Sequence, residues 1–460
     1  MKEKSYEEIF SLFDEFANDY KRSDQYVDIL YDSTSSIRIT KSPSEETIAV
    51  NSDKSGIVAR TFVDSWKEMA VQDYSELDAI KQYFPRATNK GSQLKEFEGW
   101  ELNEEIKTEI DPREISIDEK IRKVRDAYEF LKNYDERIIN PVVAYLEHHL
   151  TRIFVNNEGS KLRQVIPRIR VMVKPVAKEG RNIDFDYLSI GGEIGFEVFD
   201  GIEEKLEKVA ENSLEMLHAE SAPSGNFPII LDPDMAGLIA HESFGHGLEA
   251  DQIIRDRSYL KDKLDKPVAS EICNIYDGAN IEKRIGSYLF DDEGLKPSTN
   301  KLVQDGILKD FIYDRRTASD LDEEPKGNGR RESYAHPIHV RMTNTYFEPG
   351  DHNLEEMISG IDKGVMLIRG FFGMEDPLGG GLQATSKKGY LIENGQKTKI
   401  LKAVTLSGSV LELLKNIDAV SKGNLELSAG TCGKGYEDFV PVTSGGSYLR
   451  VKKALISPGG

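Results

Sequence analysis

Residues 228–251 read PIILDPDMAGLIAHESFGHGLEAD, a short apolar strand that turns directly into a helix. Asp232 is placed as the N-cap and Pro233 at the first helical position, where a missing N–H costs nothing. Met235, Leu238, Ile239 and Ala240 give that helix an apolar side. Its next residues, His241-Glu242-Ser243-Phe244-Gly245-His246, spell HExxxH. The familiar metallopeptidase pattern is HExxH, with two histidines four apart on one helical face and the glutamate as general base. Here one residue is added. In a regular α-helix five residues turn the chain by about 500°, leaving the two imidazoles roughly 140° apart. A π-bulge or an early unwinding around residues 243–247 would bring them together, and Gly245 and Gly247 would ease it.

A catalytic zinc site has three protein ligands and one open position. Beyond His241 and His246, the chain offers Glu249 and Asp251 just downstream, His336 and His339, or a thiolate. Cys432 lies in SAGTCGKGYEDF at 428–439. That stretch reads as a glycine-rich turn between strands, where the backbone can approach closely and Lys434 could favour the thiolate.

The remaining composition narrows the class. The 460 residues carry 60 Lys+Arg against 80 Asp+Glu, a formal net charge of −20. A surface this acidic is unsuited to a nucleic-acid backbone, so no nucleic-acid partner is expected. No run approaches the roughly 18 apolar residues of a membrane span. The N-terminal MKEKSYEEIFSLFDEF is broken by acids too often for a signal peptide. Cys273 and Cys432 stand far apart without a CxxC. The expectation is a reduced, cytoplasmic protein with no membrane association.

Periodicity predicts an α+β fold, a mixed helix/strand N-terminal half and a β-rich C-terminal domain, the latter carrying the HExxxH of a metallopeptidase. Tyr6, Ile9, Phe10, Phe13 and Phe16 share one helical face. Strand-like runs follow, and the charged stretch 87–115 reads as a linker. Ser116 and Glu119 form a capping-box pattern before a second helix–strands–helix block. Three domains are therefore expected, over 1–115, 116–222 and 223–460, with 221–227 as the second connection.

Several segments carry a resemblance in addition to HESFGHGLEAD. They are PVASEICNIYDGAN, GSYLFDDEG, KLVQDGILKDFIYDRRTA, GNGRRESY, RMTNTYFEPGD, the GGG at 379–381 with Gln383, KGYLIENG, LKNIDAV and GTCGKG. In this order they make the chain resemble the TldD/PmbA family of metallopeptidases, in its catalytic TldD branch. The resemblance implies one Zn2+ per chain, bound by His241, His246 and Cys432, with Glu242 as the catalytic carboxylate. It also implies short, extended or unfolded peptides as substrates. The expected assembly is a homodimer or a heterodimer with a non-catalytic family paralogue.

Further roles are expected on chemical grounds. Glu249 and Asp251 would orient the ligating imidazoles. Asn344 and Thr345 lie in a strand that could pair with an extended peptide, and Arg330, in GNGRRESY, could line the substrate channel. Tyr288 and Tyr334 are candidate oxyanion donors, and Asp291-Asp292-Glu293 reads as a solvated acidic turn. Cys273, His148, His149 and His218 are assigned no chemistry. The competing function is a non-catalytic peptide-binding or regulatory subunit with a structural zinc.

Overall fold

Alternating side chains in the first half of the chain build one sheet where two blocks were expected. The structure, a computed structural model, describes residues 4–21, 25–84, 86–87, 94–423, 425–435 and 438–459. It is α+β with a β-rich C-terminal region, as expected. In the N-terminal sheet the strands run in the order Trp66–Val71, Glu46–Phe62, Tyr26–Lys41, Val142–Asn156, Lys161–Lys174 and Glu101–Glu105. Leu188–Gly192 also pairs with Lys161–Lys174.

The boundary expected at 115/116 falls inside this sheet. Tyr26–Lys41 and Val142–Asn156 pair antiparallel from Asp28 opposite Asn156 to Lys41 opposite Val143. Strands of residues 1–115 and of 116–222 thus lie side by side in one sheet, joined by a central ladder. The expected linker also contributes a strand, with residues 101–105 parallel to 161–165. Its part at 88–93 lies outside the described residues.

The period-2 alternation sends neighbouring residues to opposite faces. Ile29 and Ile57 meet the helix Tyr6–Asn18, which is capped by Ser5 and buries Ile9, Phe13 and Phe16. Ile39, Val143 and Val171 pack under the helices Ile117–Tyr134 and Ile202–Glu215. Ser116 caps the first of these through the Glu119 N–H at 3.2 Å.

Leu30, Val58 and Phe154 look the other way and pack on Phe290 of the C-terminal half. Charged residues share this face. Arg60 pairs with Asp28 and with Glu293 at 3.1 Å, and Arg152 pairs with Asp292 at 2.6 Å. The Asp291-Asp292-Glu293 turn is accordingly buried, not solvated.

Two further sheets make up the C-terminal half. In one, Gly225–Leu231 lies beside Lys363–Asp376, followed by Gly381–Glu393, Val404–Ser409 and Leu449–Pro458. Leu449–Pro458 pairs back onto Gly225–Leu231, so the sheet closes on itself. The other runs Ile307–Leu308, Thr299–Gln304, Ile275–Gly278, Asn344–Phe347, Asp438–Gly446 and Glu426–Lys434. The helix that follows Leu231 lies between the two sheets.

Its approach to the second sheet is close at Gly237. A Cβ there would lie 2.3 Å from the Gly445 backbone nitrogen and 2.6 Å from its Cα. Gly237→Ala must therefore push helix and strand apart. We expect it to cost about 1–3 kcal/mol of stability, as overpacking does, and to lower bound metal. Denaturant unfolding and elemental analysis of the variant measure the two effects.

Candidate metal centre

The helix begins as its sequence predicts. Asp232 Oδ1 accepts the Met235 N–H at 2.8 Å and Pro233 opens the first turn. The other carboxylate oxygen accepts the Arg369 N–H at 2.8 Å, tying the helix start to the neighbouring strand. Pro233–Leu238 is α-helical, Ile239–Phe244 is a π-helix, and Gly245–Leu248 tightens into a 3-10 turn. The distortion starts four residues before the expected 243–247 and then runs into it. The wide turn absorbs the extra residue of HExxxH. As a result the imidazoles of His241 and His246 converge, with ring centroids 5.1 Å apart and planes at 82°.

Cys432 reaches them from the other sheet. It lies within the strand Glu426–Lys434, opposite Val440, and not in the turn expected from its flanking glycines. Its Sγ is 3.5 Å from His246 Nε2. One donor atom each from His241, His246 and Cys432 all lie within 4.8 Å of one another.

The chemistry of this set suits zinc, which accepts imidazole nitrogen and thiolate sulfur in tetrahedral sites. A second observation agrees with it. His241 is only 3% exposed, yet neither of its ring nitrogens has a hydrogen-bond partner among the described residues. Buried imidazoles without partners are costly, and a metal ligand needs one nitrogen bare. Burial resists ionisation of the Cys432 thiol, but His241 and His246 outweigh it and hold its pKa at about 4.

Glu249 and Asp251 both lie close by, with different partners. Glu249 Oε2 is 3.4 Å from His246 Nδ1, the nitrogen turned away from Cys432. Asp251 bonds Lys434 at 2.8 Å and does not orient an imidazole. Lys434 Nζ also reaches Glu249 at 2.8 Å and the Val340 carbonyl at 2.9 Å. The ammonium expected to favour the thiolate is thus turned to two carboxylates. Burial opposes the charge on Glu249, yet Lys434 and His246 bring its pKa down to about 2. His336 is outside the centre and bonds Ser333 Oγ at 2.8 Å.

Glu242 is the open member of the group. Its side chain is 34% exposed, and Oε2 lies 3.8 Å from His246 Nε2. Water can therefore reach a carboxylate that faces the donor atoms. A second carboxyl, missed in the sequence, is Glu375 on the strand Lys363–Asp376. Burial, with Glu249 and Glu242 nearby, pushes its pKa up to about 7 against the pull of His246 and His241. Only the alternation of FGMED pointed to it, and alternation alone does not tell which face meets a helix.

The residues expected to touch substrate are built into the frame. Asn344 and Thr345 are fully buried, and their strand is paired on both sides, so it offers no edge to a peptide. Asn344 Nδ2 donates to the Gly278 carbonyl at 2.6 Å, and Thr345 Oγ1 to Asp277 Oδ1 at 2.7 Å. Arg330 donates to the Met342 and Pro441 carbonyls, both at 2.7 Å, and its guanidinium lies over the Tyr288 ring. The Tyr288 hydroxyl is bonded to the Gly327 carbonyl at 2.6 Å. The Tyr334 ring packs on Gly56 in the N-terminal sheet.

Comparison with known proteins gives the family. Residues 110–217 match the PmbA/TldA metallopeptidase central domain, and residues 224–457 match the C-terminal domain of the same description. A metalloprotease of Methanocaldococcus jannaschii is 38% identical over 358 residues, covering 78% of each chain. A zinc metalloprotease TldD homolog of Saccharolobus solfataricus is 34% identical over 263 residues, 57% of this chain and 58% of that one. Among solved structures, a Thermotoga maritima protein described as a candidate modulator of a DNA gyrase superposes with a TM-score of 0.79 at 21% identity. That match covers 98% of this chain and 100% of the other, and it speaks for the fold. On its two domain matches and its identity to these metalloproteases, the chain belongs to the TldD/PmbA family of metallopeptidases.

Proposed function

We propose that the protein hydrolyses peptide bonds of short, extended or unfolded peptides, with one zinc per chain held by His241, His246 and Cys432. The observation that carries this reading is the convergence of those three donors beside a solvent-open Glu242. Bound zinc would supply Lewis acidity, polarising the scissile carbonyl and making water acidic near neutral pH. Glu242 takes a proton from the attacking water on its exposed carboxylate and returns it to the amine nitrogen as the C–N bond breaks. Glu249 receives the His246 Nδ1–H, which leaves Nε2 free to ligate, and Lys434 fixes Glu249 in place. No described helix is long and apolar enough to cross a membrane. Two free cysteines support the cytoplasmic location proposed here, where a thiolate ligand stays reduced. A second copy, or a family paralogue without the HExxxH, is the proposed partner.

Elemental analysis of wild type, Cys432→Ala and Glu242→Gln tests the centre, alongside cleavage of an unfolded casein. We expect zinc in wild type, loss of zinc in Cys432→Ala, and full zinc in Glu242→Gln with hydrolysis reduced by about 10²-fold or more. Wild type that stays metal-free after reconstitution would sink the proposal. Undiminished cleavage by zinc-loaded Glu242→Gln would remove Glu242 from the mechanism. A zinc-loaded wild type that binds peptides without cleaving them would point to a regulatory subunit.

Lys434→Met separates support from ligation. It leaves the three donors intact and removes the cation shared by Glu249 and Asp251. Zinc affinity should fall by about 10–100-fold, read by competition with a chromophoric chelator.

A further inference from the structure

The strand Lys363–Asp376 changes its surroundings halfway along. Up to Leu367 it pairs on one side with Ile229–Leu231 and on the other with Gly381–Glu393. Arg369 then takes a positive φ of 64°, and the register slips between Gly370 and Phe372. Beyond that point only the second pairing continues, to Asp376 opposite Gly381, and the strand passes along the metal helix. Gly373 faces that helix so closely that a Cβ would sit 2.9 Å from Glu242 Cγ. Alternation places Glu375 on the same face. Phe372 and Met374 point to the opposite face and are half exposed.

Glu375 therefore lies on the strand face turned to the helix that carries Glu242 and the histidines, and its surroundings do not satisfy it. Its Oε2 is buried and has no hydrogen-bond partner, and among the described residues Glu375 forms no ion pair. The charged groups whose fields reach it most strongly are His246, Glu249, Glu242 and His241, and the Tyr259 phenol also lies within its field. Two of these are carboxylates, the two imidazoles are metal donors, and the nearby ammonium of Lys434 is held by Glu249 and Asp251. A carboxyl in this position is complementary to a donor cation, because an unpaired buried acceptor is unfavourable and an ammonium supplies both charge and N–H.

We propose that Glu375 binds an ammonium group of the peptide substrate and so favours peptides that place a cationic nitrogen beside the scissile bond. A free amino terminus and a lysine side chain share this chemistry. The inference rests on the peptidase reading for its substrate but makes a separate claim about recognition.

Binding without turnover tests it. Zinc-loaded Glu242→Gln protein is titrated calorimetrically with Ala-Ala-Ala-Ala-amide, with its N-acetyl form, and with N-acetyl-Ala-Lys-Ala-Ala-amide. The expected result is about tenfold or tighter binding of at least one ammonium-bearing peptide over the neutral one. Preference for the first alone assigns the α-ammonium, and preference for the third alone assigns the lysine side chain. Adding Glu375→Gln should abolish the preference while leaving zinc content and the affinity for the neutral peptide unchanged. Glu375→Asp should restore part of it.

Equal binding of all three peptides by the Glu375-containing protein overturns the proposal without reference to any Glu375 variant. A Glu375→Gln effect that is equal on the neutral peptide, or that removes zinc, makes the residue structural and also overturns it. If wild type binds ammonium peptides preferentially yet cleaves none, the hydrolytic reading falls and the Glu375 assignment stands. If it cleaves peptides but binds all three equally, hydrolysis stands and the Glu375 assignment falls.

Discussion

Helix and strand touch backbone to backbone at Gly237 and Gly445, and the position of every donor follows from that contact. The strand Asp438–Gly446 is held against the helix there. Its partner, Glu426–Lys434, is locked to it by a ladder that sets Cys432 opposite Val440. On that neighbouring strand, five residues beyond the Leu427 that stands opposite Gly445, the thiol comes level with the π-turn that carries His241 and the 3-10 turn that carries His246. Lys434, two residues further on, then fastens this strand to the helix end through Glu249 and Asp251. A side chain at residue 237 would have held the sheets apart by more than zinc–ligand bonds of about 2.0–2.3 Å tolerate.

The legible part of the site is the part encoded locally. Asp232, Pro233 and the five-residue spacing of the histidines fix a capped helix that cannot stay regular, because a regular α-helix cannot converge two such side chains. Cys432 was harder to place. Gly430 and Gly433 read as turn residues, yet both sit in an antiparallel ladder. Asn344 and Thr345 look like exposed strand residues because they are polar. Their burial is tolerable because residues far back in the chain supply the partners: Asp277, 68 positions away, for Thr345, and the Gly278 carbonyl for Asn344.

The same limit explains the fold. Glu101–Glu105 is charged because it is an edge strand, paired on one side only and otherwise exposed, and its composition matches a linker. Asp291-Asp292-Glu293 reads as solvated because nothing nearby in the chain neutralises it. Its counter-charges, Arg60 and Arg152, stand on strands of the N-terminal sheet. Buried ion pairs add little net stability but punish a wrong partner heavily. They therefore fix how that sheet docks on the C-terminal half, while the apolar contacts of Phe154 and Phe290 supply the driving force.

The order of these pieces along the chain has a consequence for biosynthesis. Both histidines and Glu242 leave the ribosome nearly two hundred residues ahead of Cys432, and the strand Leu449–Pro458 that closes the sheet comes later still. A chain made only that far carries Glu242 and the two imidazoles without the thiol that stands beside them in the folded protein. The proposed three-donor site can therefore assemble only once Cys432 has been made and its strand has paired with Asp438–Gly446.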